Sequence, residues 1–290
     1  MMLVLVTIAA PLSQQRESPM KDNVTQQEAE QYQRDGFIVF DNFLSPAELE
    51  VWRKEVDEAV AAREEYRLPG KWDSKNDSDT KKILLQRINL WMDHPGVRKL
   101  MLDERLGRMA ADLANVDGMR IWHDQALIKL PWGAPTDWHM DNPYWSFTSP
   151  NAISIWVALD DATPDNGCLY FLPGSQHVEV VANPNIGTNM SALFDSYPEQ
   201  AKVSAVCAQM KAGSCSFHNG RTFHAAQANM TPRPRRAMTC AYMPDGSVFN
   251  GAANVLPEEY LATLKVGDKI EDGRHVPLLY SRSGKKLDLV

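Results

Sequence analysis

Basic charge, cysteine and long apolar runs are what this chain has little of. Its 290 residues carry 30 Lys and Arg against 37 Asp and Glu, a formal charge of −7. That balance argues against non-specific nucleic-acid binding, which needs a basic surface. Only four cysteines occur, Cys168, Cys207, Cys215 and Cys240, and none forms a C-x-x-C pair. They are too few to staple a chain of this size, so free thiols in a reducing compartment, mostly packed in the core, are expected. There is no run of 18 apolar residues, and so no candidate membrane-spanning helix. Internal repeats and low-complexity tracts are absent as well.

The remaining composition, 44% hydrophobic and 23% charged, is that of a globular protein with enough chain to bury a substantial core. The opening "MMLVLVTIAAPLSQ" has the apolar character of a signal h-region but lacks a basic n-region, its first charge being Arg16. Met20 then opens an ordinary domain start. Residues 1–22 are expected to be a disordered or over-extended N-terminal extension, and 23–290 one domain. A cytoplasmic location follows, with export through the apolar segment as the alternative.

The front half reads as helical. "TQQEAEQYQRDG" starts with a capping box, Thr25 with Glu28, and stops at Gly36. "FIVFDNFL" reads as a strand. "SPAELEVWRKEVDEAVAAREEY" has Ser45 as N-cap, Pro46 at the first helical position, and Leu49, Trp52, Val56 and Val60 at helical spacing. The polar 66–82 stretch reads as an exposed loop, and "GVRKLMLDERLGRMAADLAN" as helical. From about Arg120 the chain turns into short β-rich runs punctuated by Pro-Trp-Gly, Asp-Asn-Gly and Pro-Gly-Ser. Many short strands with helices at the front predict a sandwich or barrel with the helices packed outside it.

"WHMDNPYW", Trp138 to Trp145, carries the chemistry. Residues i and i+2 of a strand share a face, so His139 and Asp141 present an imidazole and a carboxylate together. Two histidines and one carboxylate on one octahedral face are the pattern of non-haem Fe(II) oxygenases. His177 and Glu179 have the same spacing and compete. His218 and His224, in "FHNGRTFHAAQANMTPRPRRAM", compete for the third ligand. The arginines that follow, Arg233, Arg235 and Arg236, suit a dicarboxylate, because a guanidinium fork binds a carboxylate bidentately. Read by itself, "RPRR" is equally a solvated basic turn.

Four blocks in order, "DGFIVFDNFLSPAEL", "WHMDNPYW", "LDDATPDNGCLYFLPGSQH" and "FHNGRTFHAAQANMTPRPRRAM", make the chain resemble the phytanoyl-CoA dioxygenase family from about Glu30 to Gly251. The resemblance implies a mainly β fold with flanking helices around a double-stranded β-helix, a jelly-roll or cupin-like core. It implies Fe(II) on His139, Asp141 and His224, with 2-oxoglutarate and dioxygen as cosubstrates. Arg235 matches the residue that pairs with the far carboxylate of 2-oxoglutarate, and Arg236 then faces the other way. Trp156, Gln125 and, on a looser alignment, Gln86 match cosubstrate-contacting positions. His218 matches a supporting histidine, and "PGSQH" a turn outside the metal site. Some members carry a hydroxyl residue two after the distal histidine, where this chain has Ala226.

The implied reaction is hydroxylation of an unactivated C–H bond of a small-molecule metabolite, with release of succinate and carbon dioxide. The presence of Asp141 favours hydroxylation over halogenation. Tyr144 and Trp145 are expected to wall the substrate pocket, with Trp138 facing away, and the 182–200 loop to act as a lid. Partners other than a small molecule are not expected: no nucleic acid and no membrane. The sequence leaves the oligomeric state open. The alternatives are a cupin-like metalloenzyme that does not use 2-oxoglutarate, for which Arg235 would be dispensable, and a non-catalytic binding protein on the same barrel.

Overall fold

The computed structural model describes residues 19–63, 84–184, 186 and 189–285. The 66–82 loop lies outside the described residues, as does most of the N-terminal extension. Met20 is buried, however, and the Lys21 amide donates to Phe43 O at 3.0 Å.

Local chemistry sets the first elements. Helix α1, Gln26–Asp35, starts at the Thr25–Glu28 capping box and ends at Gly36, whose φ is +81°. A side chain at Gly36 would need a conformation L-residues avoid, and its Cβ would lie 2.3 Å from Gln176 Oε1. The chain reverses there into strand β1, Phe37–Phe40. Helix α2, Pro46–Ala62, is opened by the Ser45–Glu48 box. Its buried residues are Leu49, Trp52, Val56 and Ala59. Val60, expected on that face, is only half-buried, because the i+3 step from Val56 turns Ala59 inward first.

Helix α3, Leu90–Asp93, and helix α4, Pro95–Met101, follow strand β2, Leu85–Ile88. The stretch expected to be helical from Gly96 onward is divided. Asp103 caps a separate helix α5, Glu104–Ala114, by accepting from the Arg105 amide at 2.9 Å.

The rest of the chain is mostly antiparallel sheet. Strands β3 (Gly118–Lys129), β5 (Ile153–Ala158), β8 (Cys215–Asn219), β10 (Arg235–Pro244) and β11 (Leu278–Ser281) join β1 and β2 in a seven-stranded sheet. Its order is β1-β8-β5-β10-β3-β11, with β2 also paired to β3. Strands β4 (Thr136–His139), β6 (Leu169–Phe171), β7 (Val206–Ala208) and β9 (His224–Ala226) form the second sheet, ordered β4-β9-β6-β7. The two sheets make the jelly-roll core. The tail beyond Gly251, which carries no clear pattern in sequence, supplies helix α7, Glu258–Leu261, and the edge strand β11; α6, Ala192–Ser196, lies in the loop before β7.

The outer face of the large sheet, Ile153, Ile155, Val157, Phe217, Met238, Cys240 and Tyr242, buries against Trp52, Trp91, Leu106 and Met109 of the helices. Burial of each such large side chain contributes roughly 1.5–3 kcal/mol. A register shift between Ala241 and Tyr242 of β10 places a bulge in β3 around Trp122. Alternation restarts there, so His123, Gln125, Leu127 and Lys129 turn to the inner face while Asp124 and Ala126 stay outside. Of the thiols, Cys168, Cys215 and Cys240 are buried and Cys207 is exposed. Among the described residues, no helix is long and apolar enough to cross a membrane.

Candidate metal and cosubstrate site

His139 and His224 face each other across the small sheet, as register partners of β4 and β9. Their ring centroids are 4.1 Å apart. Asp141 reaches them differently from the i, i+2 strand expectation. Strand β4 ends at His139, and Asp141 sits in right-handed helical backbone (φ −81°, ψ −49°) at the start of a 3-10 turn, Asn142–Tyr144. That turn is pinned to the β8–β9 connection by the Asn142 amide, which donates to Gly220 O at 2.8 Å. The turn, not strand alternation, swings the carboxylate to within 3.5 Å of His139 Nε2 and 3.6 Å of His224 Nε2.

The hydrogen bonds fix what those atoms are. His139 Nδ1 lies 2.7 Å from Asp137 O, and His224 Nδ1 3.0 Å from Thr222 O. A carbonyl only accepts, so each Nδ1 carries the proton and each Nε2 presents a lone pair. Burial and the neighbouring His139 push the His224 imidazole down to about 3, so it stays neutral. Burial alone would raise the Asp141 carboxyl, but the hydrogen bond from His218 draws it down, and it lies well below its usual range. Two lone pairs and a carboxylate oxygen thus converge with no proton between them.

Such a set is repulsive unless a cation sits among them. Three mutually perpendicular ligands with bonds of about 2.1 Å stand roughly 3 Å apart, only slightly closer than the two separations here. The residues therefore fit a facially bound divalent metal with open positions opposite them.

Asp141 Oδ2 is held from behind. His218 Nε2 donates to it at 3.3 Å and Ser154 Oγ at 3.4 Å. His218 thus supports the carboxylate instead of competing with His224. The other rival pair does not join: His177 bonds Gln176 and Gln33 O, away from the triad. Ser154 escaped the sequence reading; its signal is the i−2 spacing from Trp156 on β5.

Arg235 is the first residue of β10, and its side chain is 3% exposed. Its guanidinium stacks 5.0 Å from the Trp156 ring and donates once, to Gly167 O at 3.1 Å. Nε and one terminal nitrogen have no partner. Burial lowers its pKa to about 10, which leaves it cationic. A buried guanidinium with two unmet donors fits a carboxylate guest. Arg236 points the other way, to Asp160 and Asp57.

Gln125 and Gln86 meet on neighbouring strands, with Gln86 Nε2 donating to Gln125 Oε1. Gln125 Nε2 also approaches His123 Nδ1 at 3.3 Å. Trp145 is buried, stacked on Phe147 and edge-on to His123. The Tyr144 hydroxyl donates to Pro184 O at 2.7 Å, tying the 182–200 segment to the turn that carries Asp141. Trp138 packs on Phe194, away from the triad.

The phytanoyl-CoA dioxygenase family model matches residues 32–237. The chain is 27% identical over 225 residues to the 2-aminoethylphosphonate dioxygenase of uncultured bacterium HF130_AEPn_1, spanning 75% of this chain and 81% of that one. It is 25% identical over 263 residues to the ectoine dioxygenase of Nocardia farcinica, spanning 80% and 79%. Among solved structures, the non-heme alpha ketoglutarate dependent carbocyclase SnoK from nogalamycin biosynthesis superposes with a TM-score of 0.74 at 23% identity, over 90% of this chain and 99% of that one. The epimerase SnoN in complex with Fe3+, alpha ketoglutarate and nogalamycin RO gives 0.70 at 25% identity, over 87% and 96%.

Proposed function

The chain belongs to the phytanoyl-CoA dioxygenase family, and from that premise we propose that it hydroxylates a C–H bond of a small-molecule metabolite, with His139, Asp141 and His224 holding Fe(II) and Arg235 anchoring 2-oxoglutarate. The protein is an Fe(II)- and 2-oxoglutarate-dependent oxygenase. Bound iron, 2-oxoglutarate and dioxygen supply the oxidation, in which the keto acid leaves as succinate and carbon dioxide and one oxygen atom goes to the substrate. The observation that carries the residue assignment is the convergence of three proton-free donor atoms beside a buried guanidinium with unmet N–H groups.

Each residue has a definable task. The Asp137 and Thr222 carbonyls orient the two imidazoles, and His218 and Ser154 orient the carboxylate. Arg235, stacked on Trp156, would hold the far carboxylate of the keto acid. Tyr144 and Trp145, on and next to the turn that carries Asp141, would wall the space for substrate, and Gln125 and Gln86, bonded to each other on neighbouring strands, would contact the cosubstrate. The bond from Tyr144 to Pro184 supports reading the segment that follows as a cover over the site.

The test is anaerobic titration of the Fe(II)-loaded protein with 2-oxoglutarate, followed by the visible charge-transfer band of a chelated keto acid. A metabolite library is then screened for compounds that accelerate succinate release and gain one oxygen atom. A protein that binds Fe(II) but neither shows the band nor consumes 2-oxoglutarate refutes the reading, and so does unaltered 2-oxoglutarate affinity in Arg235→Met.

A further inference from the structure

Two of the four cysteines meet. Cys168 Sγ lies 3.4 Å from Cys207 Sγ, close enough for one thiol to donate to the other. They are unequally placed, Cys168 buried and Cys207 exposed. Cys168 directly precedes β6, and Cys207 stands in β7, the edge strand of the small sheet, opposite Tyr170. Cys215 and Cys240 lie elsewhere, buried under the helices on the outer face of the large sheet.

The pair backs onto the cosubstrate anchor. Gly167, the residue before Cys168, supplies the carbonyl to which Arg235 donates. Cys168 packs in one apolar cluster with Trp156, the ring on which Arg235 stacks. Its amide donates to Thr163 O at 3.0 Å, and its carbonyl accepts from the Gln227 amide at 3.3 Å. Gly167 has a φ of +87°, and a Cβ there would lie 2.5 Å from Gln227 O. So little space surrounds the turn that a shift of Cys168 passes to Gly167 O instead of being absorbed.

The two thiols are diagonal neighbours on the β6–β7 ladder, not a directly opposed pair. A disulfide needs a closer approach than two sulfurs in contact, so closing the bond draws the Cys168 end of β6 towards the edge strand. Strained or exposed disulfides are the labile, regulatory ones. We propose that Cys168 and Cys207 form a reversible disulfide that switches the cosubstrate anchor: oxidation displaces Gly167 O from Arg235 and weakens the hold on 2-oxoglutarate. The inference rests on the reading of Arg235 given above and adds its regulation by a low-molecular-weight disulfide such as oxidised glutathione. Exchange begins at Cys207, because burial and the bond to Cys207 push the Cys168 thiol up to about 12. The Cys207 sulfur attacks oxidised glutathione, and one glutathione leaves with the Cys207 proton. The Cys168 sulfur then attacks the Cys207 sulfur of the mixed disulfide, and the second glutathione leaves with the Cys168 proton. Two protein thiols are thereby oxidised to one disulfide, and one glutathione disulfide is reduced to two thiols.

The test equilibrates the Fe(II) protein anaerobically in glutathione buffers of graded ratio, then desalts it and titrates it with 2-oxoglutarate by the charge-transfer band. Mass spectrometry of the digested protein maps the link between Cys168 and Cys207. In the oxidised form the Kd for 2-oxoglutarate rises at least about fivefold. By reciprocity, saturating 2-oxoglutarate shifts the equilibrium constant for oxidation of the pair towards the dithiol by the same factor. Cys207→Ser keeps the affinity of the reduced wild type in every buffer. Absence of the link at all ratios, a link that leaves the Kd unchanged, or an equal loss of affinity in Cys207→Ser overturns the proposal. A reduced wild-type protein that shows no band refutes the underlying iron and 2-oxoglutarate assignment instead, while the link itself is still read by mass.

Discussion

Replacing Arg235 with methionine separates a binding role from a structural one by sign. In the protein alone, Arg235 buries a charge whose Nε and one terminal nitrogen have no partner. Each unmet buried donor costs about 1–3 kcal/mol. Against this stand the bond to Gly167 O and the stack on Trp156, together worth about 2–4 kcal/mol. Methionine fills similar volume without polar atoms. With two such donors the net change in stability runs from a loss of ~2 to a gain of ~4 kcal/mol, centred on a gain of ~1 kcal/mol, which is a few degrees in Tm for a domain of this size. The effect on cosubstrate is opposite and larger. Removing one partner of a buried, hydrogen-bonded charge pair costs about 2–5 kcal/mol, which is roughly 30- to 5,000-fold in Kd. Thermal melts of the metal-free protein and anaerobic 2-oxoglutarate titrations of the Fe(II) form measure the two quantities separately. A variant that melts well below wild type yet binds 2-oxoglutarate as tightly would refute the reasoning, because Arg235 would then be a structural cation.

Further outcomes follow from the same geometry. His218→Ala frees Asp141 Oδ2 and lowers Fe(II) affinity by about 10- to 100-fold in a chelator competition, and Ser154→Ala does so more weakly. Gly167→Ala places a Cβ 2.5 Å from Gln227 O at a φ of +87° and is expected to destabilise by at least about 1–3 kcal/mol in chemical denaturation. Ser45→Ala removes the α2 cap at about 1 kcal/mol and leaves keto-acid binding unchanged, since the cap lies on the outer layer. Chelation abolishes succinate formation and Fe(II) restores it, whereas Zn2+ occupies the same ligands without turnover, having no accessible redox change.

Legibility from sequence followed the range of the interactions. The α1 and α2 starts were readable because a capping box is closed within three residues, and both boxes are present. The division of the next helical region at Asp103 was missed, although Asp103 is itself a cap, because the apolar pattern runs through it. The closing strand β11 was invisible, since its four residues are held by pairing with β3 rather than by their own pattern. His139 and Asp141 share a site as their spacing suggested, but for a different reason, a turn braced on Gly220. Which face of β3 looks inward was not readable, because only the bulge opposite Ala241 decides it.

The amino-acid order alone determined the local stops and starts, the residue types able to hold a metal and a dicarboxylate, and, through four ordered blocks, the family. Those depend on contacts within a few residues or on identity, and both are written in the chain. Pattern alone left His218 and His224 open and the family resemblance chose His224; the tertiary structure supplies the reason, because the strand that presents each one puts His224 in register with His139 and His218 behind Asp141. Tertiary structure alone decided that Cys168 meets Cys207, since partners 39 positions apart come together through the register of a ladder and no local pattern encodes that register.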